Sequence, residues 1–248
     1  MTTESSSPSS GSTISVPPAP QAPAELRDRL AIALDVDDIV EARRLAHDVA
    51  PWFGVAKVGL ELYTAVGPVG VGQLMGLGFK VFLDIKLHDI PTTVEKAARV
   101  VGSLGVSYLT IHAVGGAAML RAGVDGLAEG ATKAGLVAPT ALAVTILTSD
   151  DGAPAHILGK RVQAALEGGC GGIVCASSDI KKAKMLAPRL ITVVPGIRPA
   201  GTATHDQARS ATPQAALAAG ADLLVIGRAV TAAPDRAAAA AEIAASLA

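Results

Sequence analysis

The chain has 248 residues, of which 50% are hydrophobic and 17% charged, with a net charge of -1. This length and composition fit one large domain, or two small ones, with a full hydrophobic core. The near-neutral charge and the aromatic content of 2% argue against nucleic acid or an anionic membrane as a partner.

The first segment, residues 1–24, is rich in Ser, Pro and Thr and lacks the apolar run of a signal peptide. We predict that it is a disordered tail and that residues 25–248 form a single catalytic domain. No apolar stretch approaches the roughly 18–20 residues that a membrane-spanning helix needs. Cys170 and Cys175 form no CxxC pair and no metal-binding cluster. They are expected to be reduced core thiols of a cytoplasmic protein.

From Leu30 onward, short apolar runs alternate with longer helical patterns. The runs are rich in Val, Ile and Leu and do not alternate cleanly with polar residues, which is typical of parallel strands covered by helices. One helical pattern, 212–220, ends at Gly220, a residue type that terminates helices. The runs lie at 30–36, 54–60, 80–86, 106–112, 141–147, 171–176, 190–195 and 221–227.

Eight strand–helix units in one chain of this length predict an α/β fold, a single-domain (β/α)8 barrel. The alternative is an open, doubly wound sheet, which usually has fewer strands and often a G-x-G-x-x-G turn after the first. Here the first strand ends in "ALDVDD", without a glycine turn. The barrel is therefore the favoured fold.

Polar residues follow or end most of the predicted strands, where the active sites of barrel enzymes lie. One such residue alone is explained by a solvated strand end, but a full set at one rim predicts an active site. The set is Asp35, Lys57, Asp84, Lys86, His112, Thr145, Thr148, Arg198 and Arg228.

The segment "LDIKLHDIPTT" (83–93) places charges at the end of the third strand. Residues i and i+2 of a strand share a face, so Asp84 and Lys86 are predicted to project together. A neighbouring carboxylate favours the charged form of a lysine, and Lys57 on the second strand can approach the same aspartate. A structural ion pair is the alternative explanation for this spacing.

The loop after this strand contains His88 and Asp89. Thr92 and Glu95 have the spacing of a capping box, which predicts that the next helix starts at this point. Asp89 would then lie in a short, stiff loop close to the strand charges. His88 is interpreted as an exposed loop residue without a catalytic role.

The segments 193–207 and 225–230 follow the last two predicted strands. In barrels, the loops at these positions often bind a phosphate group. Gly196 and Gly227 allow a close approach of the backbone, and Arg198 and Arg228 supply positive charge. The Gly-, Pro- and Thr-rich stretch 196–207 has a length suited to a lid.

The motif "LDIKLHDIPTT" resembles the D-x-K-x-x-D-I-P-x-T signature of the orotidine 5'-monophosphate decarboxylase family. The resemblance continues through "ALDV", "AKVG", "AVTILTS", "PGIRP" and "VIGRAVT" in family order, and only the N-terminal tail falls outside it. It implies decarboxylation of orotidine 5'-monophosphate to UMP and CO2 without a metal or an organic cofactor. By resemblance, Lys86 donates a proton to C6 of the pyrimidine and Asp84 lies against the departing carboxylate. Lys57 and Asp89 complete an alternating array of lysines and aspartates.

The resemblance also implies a homodimer with shared active sites, because Asp89, Ile90 and Thr93 match residues that reach into the partner's site. The other implied substrate contacts are Asp35 and Lys57 for the ribose, Thr148 for the pyrimidine, Pro195 for the pocket wall, and Arg198, Gln207, Gly227 and Arg228 for the phosphate.

Two alternatives stay open at this stage. A related barrel group, the sugar-phosphate decarboxylases and hexulose-phosphate synthases, shares D-x-K-x-x-D but uses Mg2+. The "IPTT" continuation and the "PGIRP" loop favour the nucleotide enzyme. A non-catalytic ligand-binding barrel would need the phosphate loops but not the array of lysines and aspartates.

Overall fold

The computed structural model describes residues 21–150, 152–199 and 211–247. Residues 1–20 of the predicted tail lie outside these ranges. At the start of the described chain, the Ala22 N–H donates to the Pro51 carbonyl at 3.0 Å, which holds this segment against the loop after α2 (Ile39–Val49). Among the helices of these three ranges, none is long and apolar enough to cross a membrane.

Eight parallel strands form a closed barrel in the order of the sequence, which confirms the predicted (β/α)8 fold. The first strand pairs with the last, with Ala31 opposite Val225, and this pairing closes the cylinder. The strands are β1 (Leu30–Leu34), β2 (Val55–Gly59), β3 (Lys80–Leu87), β4 (Tyr108–His112), β5 (Thr140–Val144), β6 (Gly172–Val174), β7 (Ile191–Val194) and β8 (Leu223–Ile226).

Helices connect the strands and cover the outside of the barrel. They are α1 (Ala24–Arg27), α2 (Ile39–Val49), α3 (Leu60–Met75), α4 (Pro91–Gly102), α5 (Gly116–Ala134), α6 (Ile157–Glu167), α7 (Ile180–Leu186), α8 (Pro213–Ala219), α9 (Arg228–Thr231) and α10 (Arg236–Ala245). Short 3-10 turns at Ala113–Gly115 and Ser177–Asp179 precede α5 and α7.

Local sequence explains where several helices begin and end. The Asp38 carboxylate accepts the Glu41 N–H at 2.9 Å at the start of α2, as an N-cap should. The Thr212 hydroxyl caps α8 in the same way. Gly220 ends α8 with a φ of 108°, a left-handed conformation that glycine adopts without a steric penalty, as predicted.

The core has two layers, one inside the barrel and one between the barrel and its helices. Ala31 and Ala33 of β1 point into the barrel and pack with Phe82 and Val225. Their sequence neighbours on β1 point outward and join the larger cluster under the helices. Because both faces of the strands are buried, their sequences read as continuous apolar runs.

Helices α4 and α5 pack backbone against backbone through glycines. A Cβ atom on Gly130 would lie 1.9 Å from the Arg99 carbonyl oxygen, and one on Gly126 would lie 2.3 Å from the Glu95 carbonyl oxygen. Side chains at these positions would force the helices apart. The position of α4, and of the loop that leads into it, is therefore set by its contact with α5.

Candidate active site

A cavity of about 470 Å³ opens at the carboxyl ends of the barrel strands. Its floor includes Ala33, Phe82 and Val225, the inward-facing residues of the barrel. Ten of the residues singled out from the sequence line it: Asp35, Lys57, Asp84, Lys86, Thr148, Pro195, Gly196, Arg198, Gly227 and Arg228. Seven of the nine residues of the predicted polar rim thus line one cavity, and His112 and Thr145 do not.

Four charged side chains form a continuous row along the cavity wall. Lys57 Nζ lies 2.8 Å from Asp35 Oδ1 and 3.9 Å from Asp84 Oδ2. Lys86 Nζ lies 2.9 Å from Asp84 Oδ1. Lys57 is only 9% exposed, so its charge depends on these carboxylates for compensation. The row runs Asp35–Lys57–Asp84–Lys86 and alternates in sign along its length.

The backbone at Lys86 departs from the regular strand that the sequence predicts. Lys86 has a φ of 48°, and the pairing of β3 with β4 shifts register between Leu83 and Leu87. A left-handed conformation costs a non-glycine residue about 1–2 kcal/mol. Asp84 still belongs to the regular ladder, opposite Gly59 on β2. The two side chains meet as predicted, but through a bulge rather than through simple alternation.

The hydroxyl of Thr110, on β4, contacts both members of this pair. It accepts the backbone N–H of Lys86 at 2.9 Å and donates to Asp84 Oδ1 at 3.0 Å. Thr110 is fully buried. No motif in the sequence indicates this role for Thr110. The sequence shows only that it is a polar residue within an apolar run, two residues before His112.

Asp89, Ile90 and Thr93 lie outside the cavity of their own chain. Asp89 is exposed, and its Oδ1 accepts the adjacent Ile90 N–H at 2.6 Å. Ile90 is 66% exposed despite its apolar side chain, and Thr93 is exposed on the first turn of α4. Within this chain, Asp89 does not extend the charged row.

The predicted capping box at Thr92 and Glu95 is wrong. Ile90 is the N-cap of α4 and makes no side-chain cap, while Pro91 occupies the first helical position. Proline fixes a helical φ and needs no N–H partner, so it starts the helix before Thr92. Glu95 pairs instead with Arg99 one turn later, at 2.9 Å.

His88 is exposed, and its ring lies 5.8 Å from that of His112 at the end of β4. Burial lowers the pKa of His112, and electrostatic interactions with Arg161, His88 and Lys86 lower it further. The lowered pKa disfavours a positive charge on His112 near Lys86. Neither His112 nor Thr145 lines the cavity, and the Thr145 hydroxyl donates to the Val174 carbonyl at 2.8 Å.

Another part of the cavity lining comes from the loops after β7 and β8. Gly196 has a φ of 78°, which favours glycine, and the loop continues to Arg198 at the cavity. The Arg198 N–H donates to the Ala211 carbonyl at 3.0 Å, and Ile197 forms a bridge with Ala211. Gln207 and most of the predicted lid, from residue 200 onward, lie outside the described residues.

In the described ranges, no group of three or more His, Cys, Asp and Glu side chains is placed to hold a metal ion.

A closed parallel barrel with a charged cavity at the carboxyl ends of its strands defines an enzyme of the (β/α)8-barrel class. The family model described as orotidine 5'-phosphate decarboxylase / HUMPS family matches residues 28–243. The chain belongs to this family.

Similar proteins cover nearly the whole chain. The orotidine 5'-phosphate decarboxylase of Anaeromyxobacter dehalogenans is 46% identical over 231 residues, which span 89% of this chain and 98% of that protein. The enzyme of the same name from Thermobifida fusca is 46% identical over 230 residues, spanning 88% and 95%. The crystal structure of orotidine 5'-phosphate decarboxylase from Lactobacillus acidophilus aligns with a TM-score of 0.74 and 34% identity, covering 87% of this chain and 97% of that one.

Proposed function

We propose that this chain is an orotidine 5'-phosphate decarboxylase, a carboxy-lyase that converts orotidine 5'-monophosphate to UMP and CO2 in pyrimidine biosynthesis. The observation that carries this proposal is the row of alternating charges on the cavity wall. Membership of the family and the names of the relatives agree with it.

Lys86 is the proton donor in the proposed reaction. When the bond between C6 and the carboxylate breaks, its electron pair stays on C6, because the pyrimidine offers no electron sink. A fixed ammonium group stabilises this developing charge without reorganisation. The proton then moves from Nζ to C6, CO2 leaves, and Lys86 is reprotonated before the next turnover. Asp84, at 2.9 Å from Nζ, holds the ammonium in place and faces the departing carboxylate.

The remaining cavity residues divide between the other parts of the substrate. Asp35 and Lys57 are proposed to contact the ribose hydroxyls, and Thr148 the pyrimidine. Pro195 lines the pocket wall. The phosphate is assigned to the loops after β7 and β8, where binding energy from a part of the substrate that does not react can be used for catalysis. Its proposed ligands are Arg198, Gln207, Gly227 and Arg228.

We propose that the enzyme is a homodimer in which each active site is completed by the partner subunit. Asp89, Ile90 and Thr93 are exposed and outside their own cavity, although they belong to the motif that carries Asp84 and Lys86. An exposed isoleucine at a helix start is suited to contact with a second protein surface. In the dimer, Asp89 would join the row of charges from across the interface.

A cytoplasmic location is also proposed. Cys170 and Cys175 are both buried, and neither forms a disulfide. Reduced core thiols are typical of proteins in a reducing compartment. Fractionation of the native cells, followed by an activity assay of each fraction, tests this assignment.

An absorbance assay with orotidine 5'-monophosphate tests the proposed reaction. We expect the substrate absorbance to fall at the same rate with and without EDTA. Loss of activity on chelation, restored by Mg2+, would instead assign the chain to the metal-dependent sugar-phosphate group. Absence of turnover under both conditions, with UMP bound normally, would favour a ligand-binding barrel.

A further inference from the structure

The bulge in β3 leaves one backbone donor in need of a partner. Phe82 and Leu83 pair with Tyr108 and Leu109, and the next pair is Leu87 with Ile111. Residues 84–86 of β3 therefore lie opposite the single residue 110 of β4. Extra residues in a bulge fall out of the hydrogen-bond ladder. A buried N–H without a partner is costly, so this conformation requires an acceptor from outside the ladder.

The side chain of Thr110 supplies that acceptor and acts on Asp84 at the same time. A hydroxyl has one proton to donate and lone pairs to accept with. The oxygen of Thr110 accepts the Lys86 N–H, so its own proton is directed to Asp84 Oδ1. The same carboxylate oxygen receives Lys86 Nζ at 2.9 Å. Backbone, carboxylate and ammonium are thus linked through one buried side chain.

We propose that Thr110 is a positioning residue for the decarboxylation reaction. Its hydroxyl holds the left-handed backbone of Lys86 and turns the Asp84 carboxylate, so that Oδ1 faces Lys86 and Oδ2 faces Lys57. This inference rests on the roles of Lys86 and Asp84 under the proposed function. Thr110 is fully buried and does not line the cavity, so it acts only through these two neighbours.

A purely structural role for Thr110 makes a different prediction. A buried threonine with satisfied hydrogen bonds also stabilises a fold, and its loss would lower stability without changing the turnover of folded enzyme. A positioning role instead lowers kcat in folded enzyme, because a small displacement of a reacting group slows chemistry. Binding of the product UMP would change much less than kcat under the positioning role.

The test compares Thr110→Val with Thr110→Ser, which retains the hydroxyl. The matched control is Thr192→Val in β7, a threonine that is 1% exposed and does not line the cavity. Thermal unfolding, UMP binding, kcat and KM are measured for each variant. We expect Thr110→Val to lower kcat roughly tenfold to a hundredfold, with KM and UMP affinity near those of the wild type. Thr110→Ser and Thr192→Val should keep kcat near the wild-type value.

Several outcomes would overturn the inference. A folded Thr110→Val enzyme with wild-type kcat would do so, and so would a Thr110→Ser enzyme as slow as the valine variant. If Thr110→Val does not fold, Thr110→Ala removes the same hydroxyl with a smaller side chain and is judged by the same criteria. Failure of the wild type to decarboxylate orotidine 5'-monophosphate would contradict the proposed function itself. An active wild type with an equally active Thr110→Val variant would contradict only the positioning role.

Discussion

Lys86 combines an unfavourable backbone conformation with the proposed chemistry. Among the described residues, it is the one non-glycine residue with positive φ. Such strain persists only where surrounding contacts hold it, and it is concentrated at functional sites. Here the Thr110 hydroxyl and the Asp84 carboxylate supply those contacts. The bulge brings the ammonium back to the carboxylate two residues earlier in the chain.

Replacing Lys86 by alanine should abolish turnover while leaving the fold intact. Alanine meets nearly the same backbone penalty as lysine at this φ, so stability should change little. We expect kcat to fall by at least roughly a thousandfold, with UMP binding retained. Steady-state kinetics and UMP titration measure both effects. Lys133→Ala, at a 66% exposed side chain on α5, is the control and should behave like the wild type. Near-normal turnover of Lys86→Ala would rule out its role as the acid.

The thiol of Cys170 should make stability depend on alkaline pH. Burial raises its pKa from 9.0 to about 12. The folded state therefore keeps a proton that the unfolded state loses above pH 9, so this contribution falls as pH rises from 9 toward 12. At pH 10, the contribution of Cys170 to the free energy of unfolding should be about 1.4 kcal/mol smaller than below pH 8.

Urea unfolding of the wild type and Cys170→Ala at pH 8, 9 and 10 measures this effect. Between pH 8 and pH 10, the free energy of unfolding of the wild type should fall by about 1.4 kcal/mol relative to that of Cys170→Ala. Groups that titrate in both proteins cancel in the comparison. A difference that stays constant with pH would show that the thiol ionises equally in both states.

At the scale of elements, the strands were predictable because burial on both faces leaves a continuous apolar run. The end of α8 was predictable because its signals, Thr212 and Gly220, act within one turn. The bulge at Lys86 was not, because strand periodicity assumes regular pairing and the register shift depends on β4. The start of α4 was mispredicted because two local signals compete there, and Pro91 prevails over the Thr92–Glu95 spacing.

The contact between α4 and α5 was equally invisible in the sequence, and it provides a test of packing. Gly130→Ala places a methyl group against the Arg99 carbonyl, where backbone cannot move aside locally. We expect a loss of about 1–3 kcal/mol in the free energy of unfolding. Thermal or urea unfolding measures it, and the midpoint should fall by several degrees.

Gly72→Ala in α3 is the matched control for this prediction. An added Cβ there meets nothing within 4 Å, so the substitution should stabilise the helix by about 0.5–1 kcal/mol. The two changes are chemically identical and differ only in the space available. Equal effects at the two sites would contradict the backbone-to-backbone packing of α4 on α5.

The site within this single chain contains Asp35, Lys57, Asp84 and Lys86 but not Asp89. If the active sites are shared as proposed, each site takes Lys86 from one subunit and Asp89 from the other. Lys86→Ala and Asp89→Asn then remove residues that different subunits contribute to one site. A heterodimer of the two variants regains one site with both wild-type residues. Random exchange between equal amounts of the inactive variants should restore about a quarter of the wild-type activity.

Mixing the two variants under conditions of subunit exchange, followed by the decarboxylation assay, measures this recovery. Exchange is verified independently by mass spectrometry of differently tagged subunits. Each variant exchanged with itself is the control and should stay inactive. Demonstrated heterodimers without activity would contradict shared sites, although they would leave the proposed reaction of the wild type untouched.

The bridge between Ile197 and Ala211 allows the number of residues between them to vary during evolution. It joins the two ends of the intervening segment, so the barrel does not depend on that segment to bring β7 and α8 together. For a flexible connection, doubling the number of residues costs only about 0.6 kcal/mol in closure entropy. Insertions and deletions between these residues are thus cheap for the fold, and they follow Ile197, which lines the cavity. The number of residues at this point can therefore evolve, or be engineered, without redesign of the barrel.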